Sequence, residues 1–206
     1  MNSGPTAERI YDAVKRRILT GAYRPGERIE VAALAQQVDS SATPVRDALH
    51  LLVGERLIET RSGDGFHLPQ IDAPALNDLY EWSAQVLLQA LRSWETRRGP
   101  ETQNTRDLTD ADAGEVAGRL FARIGARTGN AEHQREIQSI NDRLYAARIA
   151  ESAALPDWRE EITAVQVELE RGDVPALRRL IVAYHRRRER VVMETIRAFH
   201  QFGRRS

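Results

Sequence analysis

The sequence predicts a mainly α protein, an N-terminal winged helix-turn-helix with a small β-hairpin wing followed by an all-α helical bundle. Three observations predict it. Apolar residues recur at three- and four-residue spacing over most of the 206 residues. Two short β-prone runs, Ile58-Glu59-Thr60 and Gly65-Phe66-His67-Leu68, flank the glycine-containing turn Arg61-Ser62-Gly63-Asp64, the pattern of a hairpin. A segment from Pro69 to Pro74 then separates that part from one that is helical almost throughout. The expected organisation is a winged helix-turn-helix at 1–69, a linker at 70–74 and a helical domain at 75–206.

In chain order, residues Glu8–Leu19 form a first helix with Ile10, Val14 and Ile18 inward, ended by Gly21 in the manner of a C-terminal cap. Pro25-Gly26 is a turn dipeptide. Glu30–Val38 gives a short second helix with Leu34, Ala35 and Val38 inward. Asp39-Ser40-Ser41 turns the chain into a third helix that runs to about Leu57. In this helix Pro44 suits the first position, where its missing N–H costs nothing, and Thr43 or Ser41 can cap the exposed donors. Val45, Ala48, Leu49 and Leu52 make its apolar face, while Arg46, Asp47 and His50 fall on the other. A helix that carries Thr43, Arg46 and His50 outward from its first turns suits a DNA major groove.

Beyond the linker, the apolar series from Ala75 to Trp94 marks a long helix. Residues 97–109 are polar and read as a surface loop. Further helices are expected over 110–127, stopped by Gly129-Asn130, over 131–150, and over 156–171, closed by Gly172. Asp173 caps a last helix reaching Phe199, so the bundle has about five helices.

Composition narrows the chemistry. No cysteine is present, which removes disulfides, thiolate catalysis and cysteine-ligated metals. There is no phosphate-cradling glycine loop and no paired His on one helix face, so no enzyme is expected. No apolar run approaches membrane-spanning length and the N-terminus lacks a signal-peptide core, so the expected location is the cytoplasm. Thirty basic residues balance thirty acidic ones, and the first seventy residues hold nine of each. Any affinity for DNA must therefore come from how the charges are arranged.

The ordered set Gly21-Ala-Tyr-Arg-Pro-Gly26, Glu30 through Leu34-Ala35, Ser41-x-Thr-Pro-Val-Arg46-Asp-Ala-Leu49, Leu57-Ile58 and Gly63-x-Gly65-Phe66 resembles the DNA-binding domain of GntR-family transcriptional regulators over roughly residues 8–69. The helical part is similar to that of the FadR subfamily, through Leu79-Tyr80-Glu81, Gly129-Asn130, and Gly172-Asp173 followed by His185. That bundle looks one helix short, because the loop at 97–109 stands where the subfamily has its second helix. The resemblance implies a sequence-specific transcriptional regulator, a repressor, that binds a short palindromic operator on double-stranded DNA as a homodimer. It also implies a small acidic effector and, commonly, a metal. Two alternatives stand beside this reading: a regulator whose helical domain only dimerises, and a protein-interaction adaptor that has lost DNA binding.

The expected DNA-binding residues are Ser41, Ala42, Thr43, Arg46 and His50, with Ser62 and Gly63 at the wing tip. Ala42 stands where the family usually has Arg, and a FadR-like Arg is also missing near Ala32. Arg46 is expected to read a base, the alternative being a pair with Asp47 or Asp39. In the bundle, the subfamily's metal-ligating Asp and first His fall at Ala117 and Phe121, its next acid–His pair at Glu161-Ile162, and only His185 keeps a ligand type. No metal or other cofactor is expected. The effector-binding Arg of the resemblance falls at Ser83 and a Glu at Leu87, so any cavity is expected to be apolar, lined by Trp82, Leu87, Phe121, Tyr145, Trp158 and Tyr184. The candidate effector-binding residues are Tyr80, Phe121, Arg123, Tyr145, Arg148 and His185. The run Arg186-Arg-Arg-Glu-Arg190 reads as a solvated helix face.

Overall fold

A computed structural model of the chain describes residues 4–94 and 111–202. The loop expected at 97–109 lies outside the described residues. The chain divides into two compact units, one running through Ile71 and one spanning Asp72–Phe199.

The first unit contains α1 (Gly4–Leu19), β1 (Arg28–Ile29), α2 (Val31–Gln37), α3 (Ala42–Gly54), β2 (Glu59–Arg61) and β3 (Gly65–His67). Helix α1 starts at Gly4 rather than Glu8, since Pro5 is tolerated in a first turn. Ile10, Val14 and Ile18 from α1, Leu34 from α2, Val45, Leu49 and Leu52 from α3, and Phe66 from β3 form one buried core. Tyr11 and Lys15 both bond Glu55, which ties α1 to the end of α3.

The wing is a three-stranded antiparallel sheet in the order β1-β3-β2, not a hairpin alone. Strand β1 has two residues, too few to show a period. It exists because the Pro25-Gly26 turn folds the chain back beside β3. Gly26 takes φ +79°, Glu27 N–H bonds Arg24 O at 2.9 Å, and two bonds between 26–27 and Leu68 stitch the turn to the strand's end.

Helix α3 begins at Ala42, so Pro44 is its third residue rather than its first. The first-turn N–H groups have no intrahelical partner, so the missing donor still costs nothing. Ser41 is the N-cap by backbone conformation, but no side-chain cap bond forms at this terminus. The helix stops at Gly54, short of Leu57, because Arg56 adopts φ +61° and Leu57 N–H returns to Leu52 O at 3.0 Å.

The second unit contains α4 (Ala73–Arg92), α5 (Ala113–Ala126), α6 (Ala131–Glu151), α7 (Trp158–Arg171), α8 (Val174–Arg190) and, as far as Phe199, α9 (Val192–Phe202). Four of these helices begin on a side-chain cap: Asp72, Asp112, Asn130 and Asp173 accept from N–H groups two or three residues on. The cap at Asp72 starts α4 inside the segment expected as linker. The single last helix expected from Asp173 to Phe199 is instead broken at Val191, where two β-branched residues adjoin and Val191 N–H reaches Arg188 O at 3.0 Å. The described part of the bundle thus has six helices rather than about five. Helix α5 lies along α6, and α4 packs on α8. No helix of the described residues is long and apolar enough to cross a membrane.

Candidate functional site

The first candidate surface is the start of α3. Its buried face, Val45, Ala48, Leu49 and Leu52, fixes the helix on the core. That rotation leaves Ser41, Ala42, Thr43, Arg46, Asp47 and His50 exposed. Arg46 makes no hydrogen bond or ion pair among the described residues, so neither Asp47 nor Asp39 takes it. With no side-chain cap, the first N–H groups of α3 also face outward, an arrangement that suits a phosphate. His50 is exposed but engaged: its ring meets Phe66 of β3 edge-on, with centroids 4.9 Å apart. This contact couples the third helix to the wing.

At the wing tip Ser62 and Gly63 are exposed, in a turn closed by Asp64 N–H to Arg61 O at 3.0 Å. Gly63 has φ +72° and open space around it, so the backbone can approach a ligand closely. The charges of the wing are balanced internally. Arg61 pairs with Glu59 at 2.9 Å, and Arg28 with Glu30 and Asp64 at 3.3 and 3.4 Å. His67, buried, bonds the Asp64 carbonyl and carboxylate at 3.1 Å. Arg46 is the cation of α3, and it alone among these arginines lacks a carboxylate.

The second candidate site lies inside the helical unit. Phe121, Arg148 and His185 are brought together there, with Tyr184 between them. Phe121 meets the Tyr184 ring edge-on at 5.1 Å and stacks on His185 at 6.0 Å, while the Arg148 guanidinium lies 5.1 Å from its centroid. Tyr80 joins through an acid: its hydroxyl donates to Glu151, which also receives Arg188 Nε at 2.6 Å. Arg188 Nη1 reaches Glu161 at 2.7 Å and Tyr184 O at 3.0 Å. All of these are buried except Glu161, whose side chain is 14% exposed. The expected apolar interior is therefore wrong in kind. Trp82 is 45% exposed and bonds Glu136, and Trp158 stacks under Arg159 at the surface, so neither lines an interior site.

Two other candidates stand apart by their partners. Tyr145 donates to Asp112 Oδ2 at 2.7 Å, and burial followed by that bond raises its pKa. Arg123 is partly exposed and 3.9 Å from Glu170. The reading of the Arg186–Arg190 run as a solvated face also fails at Arg188, which is 1% exposed. The signal was available: Ile181, Tyr184, His185 and Arg188 repeat at three and four residues, the inward face of α8.

The electrostatics follow from burial. Burial pushes His185 down to about 3, with the Arg148 and Arg188 charges adding to it. Its Nδ1 is 2.7 Å from Ile181 O and its Nε2 2.9 Å from Ser83 Oγ. A neutral ring then donates from Nδ1 to the carbonyl and accepts at Nε2 from the serine. Burial raises Tyr80, and the Glu151 charge raises it further. At Arg188 burial opposes the charge, but Tyr184, Glu151 and Glu161 outweigh it and raise the pKa.

The residues present do not fit the metal that the resemblance implies. Ala117, Phe121 and Ile162 are buried apolar residues at the ligand positions. The Nε2 lone pair of His185 is taken by Ser83. Among the described residues no three His, Asp or Glu side chains assemble into a group able to hold an ion.

Comparison with known proteins bears on both units. Residues 6–68 match the family model described as bacterial regulatory proteins, gntR family. The Nta operon transcriptional regulator of Aminobacter aminovorans is 33% identical over 137 residues, which cover 61% of this chain and 65% of that one. The match thus spans less than two thirds of the relative's length. Among solved structures, a transcriptional regulator GntR from Rhodococcus sp. RHA1 superposes with a TM-score of 0.69 at 16% identity, covering 91% of this chain and 97% of that one. The E. coli McbR/YncC structure gives 0.63 at 18% identity, covering 91% and 97%. At these identities the two structures share the fold with this chain.

Proposed function

We propose that this chain, whose residues 6–68 match the gntR family of bacterial regulatory proteins, is a sequence-specific DNA-binding transcriptional repressor. It works in the cytoplasm as a homodimer on a short palindromic operator, and a small molecule held in the helical unit releases it. The observation that carries this reading is the exposed start of α3, where Ser41, Ala42, Thr43 and the unpaired Arg46 face outward from a helix anchored by its other face. Such a helix enters a major groove with its first residues at the base edges. Arg46 there supplies two parallel donors to the O6 and N7 of a guanine, Thr43 and Ser41 supply hydroxyls, and Ala42 offers a methyl to thymine. The wing, with Ser62 and Gly63 at its tip, approaches the neighbouring backbone or minor groove.

Release operates through linkage. A ligand that favours the arrangement unable to engage the operator weakens binding by its differential affinity for the two arrangements, and by no more. The buried polar cluster around Arg148 and Arg188 supports a sensing bundle over one that only dimerises, because packing alone is served at lower cost by apolar side chains.

Binding of wild type and Arg46→Ala to operator and scrambled duplexes over a salt series tests the reading. The variant is expected to lose about 1–3 kcal/mol of operator discrimination per half-site, with its fold and oligomeric state unchanged. Equal operator affinity in the two proteins would contradict the reading and favour an adaptor that does not use DNA.

A further inference from the structure

Twenty-nine of the thirty basic residues are arginine, and Lys15 is the one lysine. It stands on α1, which packs on α3, and its side chain is 19% exposed. Its Nζ donates to Glu55 Oε2 at 2.7 Å and to the Tyr11 hydroxyl at 3.0 Å. The Tyr11 hydroxyl donates in turn to Glu55 Oε1. Both oxygens of one carboxylate are thus held by α1. A compact ammonium on a flexible stem can serve a phenol one turn back and a carboxylate on another helix together. The planar fork of an arginine is set for two coplanar acceptors instead.

Glu55 is the residue at which α3 ends. The last carbonyls of a helix carry partial negative charge, so a carboxylate beside them is disfavoured unless a cation faces it. Lys15 supplies that cation. The rest of the seat of α3 is apolar: Val45, Ala48, Leu49 and Leu52 decide which side faces out. Apolar contact is non-directional and leaves the tilt of a helix loosely set. Ala42 and Glu55 lie about 10 Å to either side of Leu49 at helical rise, so a tilt of about 5° about that contact moves both ends by about 0.9 Å. Groups that read a ligand directly must be held to within about 0.5 Å. Bonds that fix the far end of the helix therefore fix the end that carries Thr43 and Arg46.

We propose that Lys15 is a positioning residue for DNA reading: through Glu55, and with Tyr11, it sets the tilt of α3, and it does so without touching DNA. This rests on the reading of α3 as the helix that enters the major groove.

The test uses the full chain as wild type, Lys15→Met, Glu55→Gln, the double variant, Tyr11→Phe and Arg46→Ala. The duplexes are an operator selected from random sequences by the wild type and its scrambled counterpart. Binding is measured over a salt series, under conditions where urea titration shows each protein fully folded. Lys15→Met should raise the operator Kd by about tenfold, within the range that one base contact supplies, and change the scrambled duplex little. Its salt slope should match the wild type, since a lysine that met a phosphate would flatten the slope by about 0.9 per copy on removal. The double variant should bind the operator no worse than Lys15→Met, because the two groups act as one unit. Tyr11→Phe keeps the ring and loses one donor, so it should raise the operator Kd severalfold, and it decides the matter if Lys15→Met does not fold. Unchanged operator affinity in the folded variants would overturn the proposal, because the clamp would then serve stability alone. So would an equal loss on both duplexes with a flattened slope, or losses that multiply in the double variant. Arg46→Ala separates the two readings. If it binds the operator as the wild type does, α3 does not read DNA. If it loses the operator while Lys15→Met keeps it, the positioning role alone is rejected.

Discussion

Arg46 and Arg148 are both helical arginines, and the fold gives them opposite surroundings. Arg46 faces solvent with no carboxylate, while Arg148 is buried beside an amide and an aromatic ring. Periodicity separates them, since Leu144, Ala147, Arg148 and Glu151 share the inward face of α6. His185 shows what such burial does to a titrating group. Its pKa is pushed to about 3 in the native state, against roughly 6.5 unfolded. As pH falls below the unfolded value, the unfolded chain takes up a proton that the native chain refuses. Stability present above that value is therefore lost as pH falls from there toward the native pKa, at up to about 1.4 kcal/mol per pH unit. Urea midpoints measured from about pH 7.5 to about pH 5.5, above most carboxylate titration, should fall for the wild type and fall less for His185→Asn. Parallel profiles would mean that His185 is not held neutral.

At the scale of elements, the contact of α5 with α6 depends on glycines that periodicity treats as gaps. A Cβ on Gly114 would lie 2.8 Å from the Tyr145 carbonyl oxygen and 2.9 Å from its ring, and a backbone oxygen cannot yield as a side-chain end can. A Cβ on Gly118, four residues on, would meet nothing nearer than 3.9 Å. Gly114→Ala is expected to cost about 1–3 kcal/mol by overpacking. Gly118→Ala should instead gain about 0.5–1 kcal/mol from helix propensity. Denaturant midpoints of the two variants that moved together would contradict the close approach. Elements with a strong period were legible in the sequence: α1, α2, α3 and the long bundle helices lie within a few residues of expectation. The elements that were not legible have non-local causes. Strand β1 exists only because a turn returns it to β3. The break at Val191 interrupts an apolar pattern that continues on both sides. The spacing that puts Arg188 on the inward face of α8 does not reveal its partners, because Glu151 and Glu161 sit 37 and 27 residues away. In the same way, the inner polar site was only half legible, since Phe121, Arg148 and His185 were marked by spacing but not their convergence.

For the molecule as a whole, thirty basic and thirty acidic residues cancel, so no general attraction to DNA is built in. The charges of the wing cancel too, through Glu59, Glu30 and Asp64. DNA binding should then rest on few phosphate contacts and depend weakly on salt, with the operator favoured through Arg46 rather than through bulk charge. This makes Ala42 a convenient place to count copies. It is exposed in the first turn of α3, where an added arginine reaches a phosphate or a base edge without disturbing the core. Each cation that neutralises a phosphate steepens the plot of log K against log salt by about 0.9. A homodimer on a palindrome carries the substitution twice, so Ala42→Arg should steepen the slope by about 1.8, against about 0.9 for a single copy. The affinity for scrambled duplex should rise along with that for the operator, because the new charge carries little sequence information. Sedimentation of the full chain at the same concentrations supplies the second reading, a dimer. A slope change near one copy's value, together with a monomer in the centrifuge, would remove the two-fold operator from the proposal and leave a single winged helix acting alone.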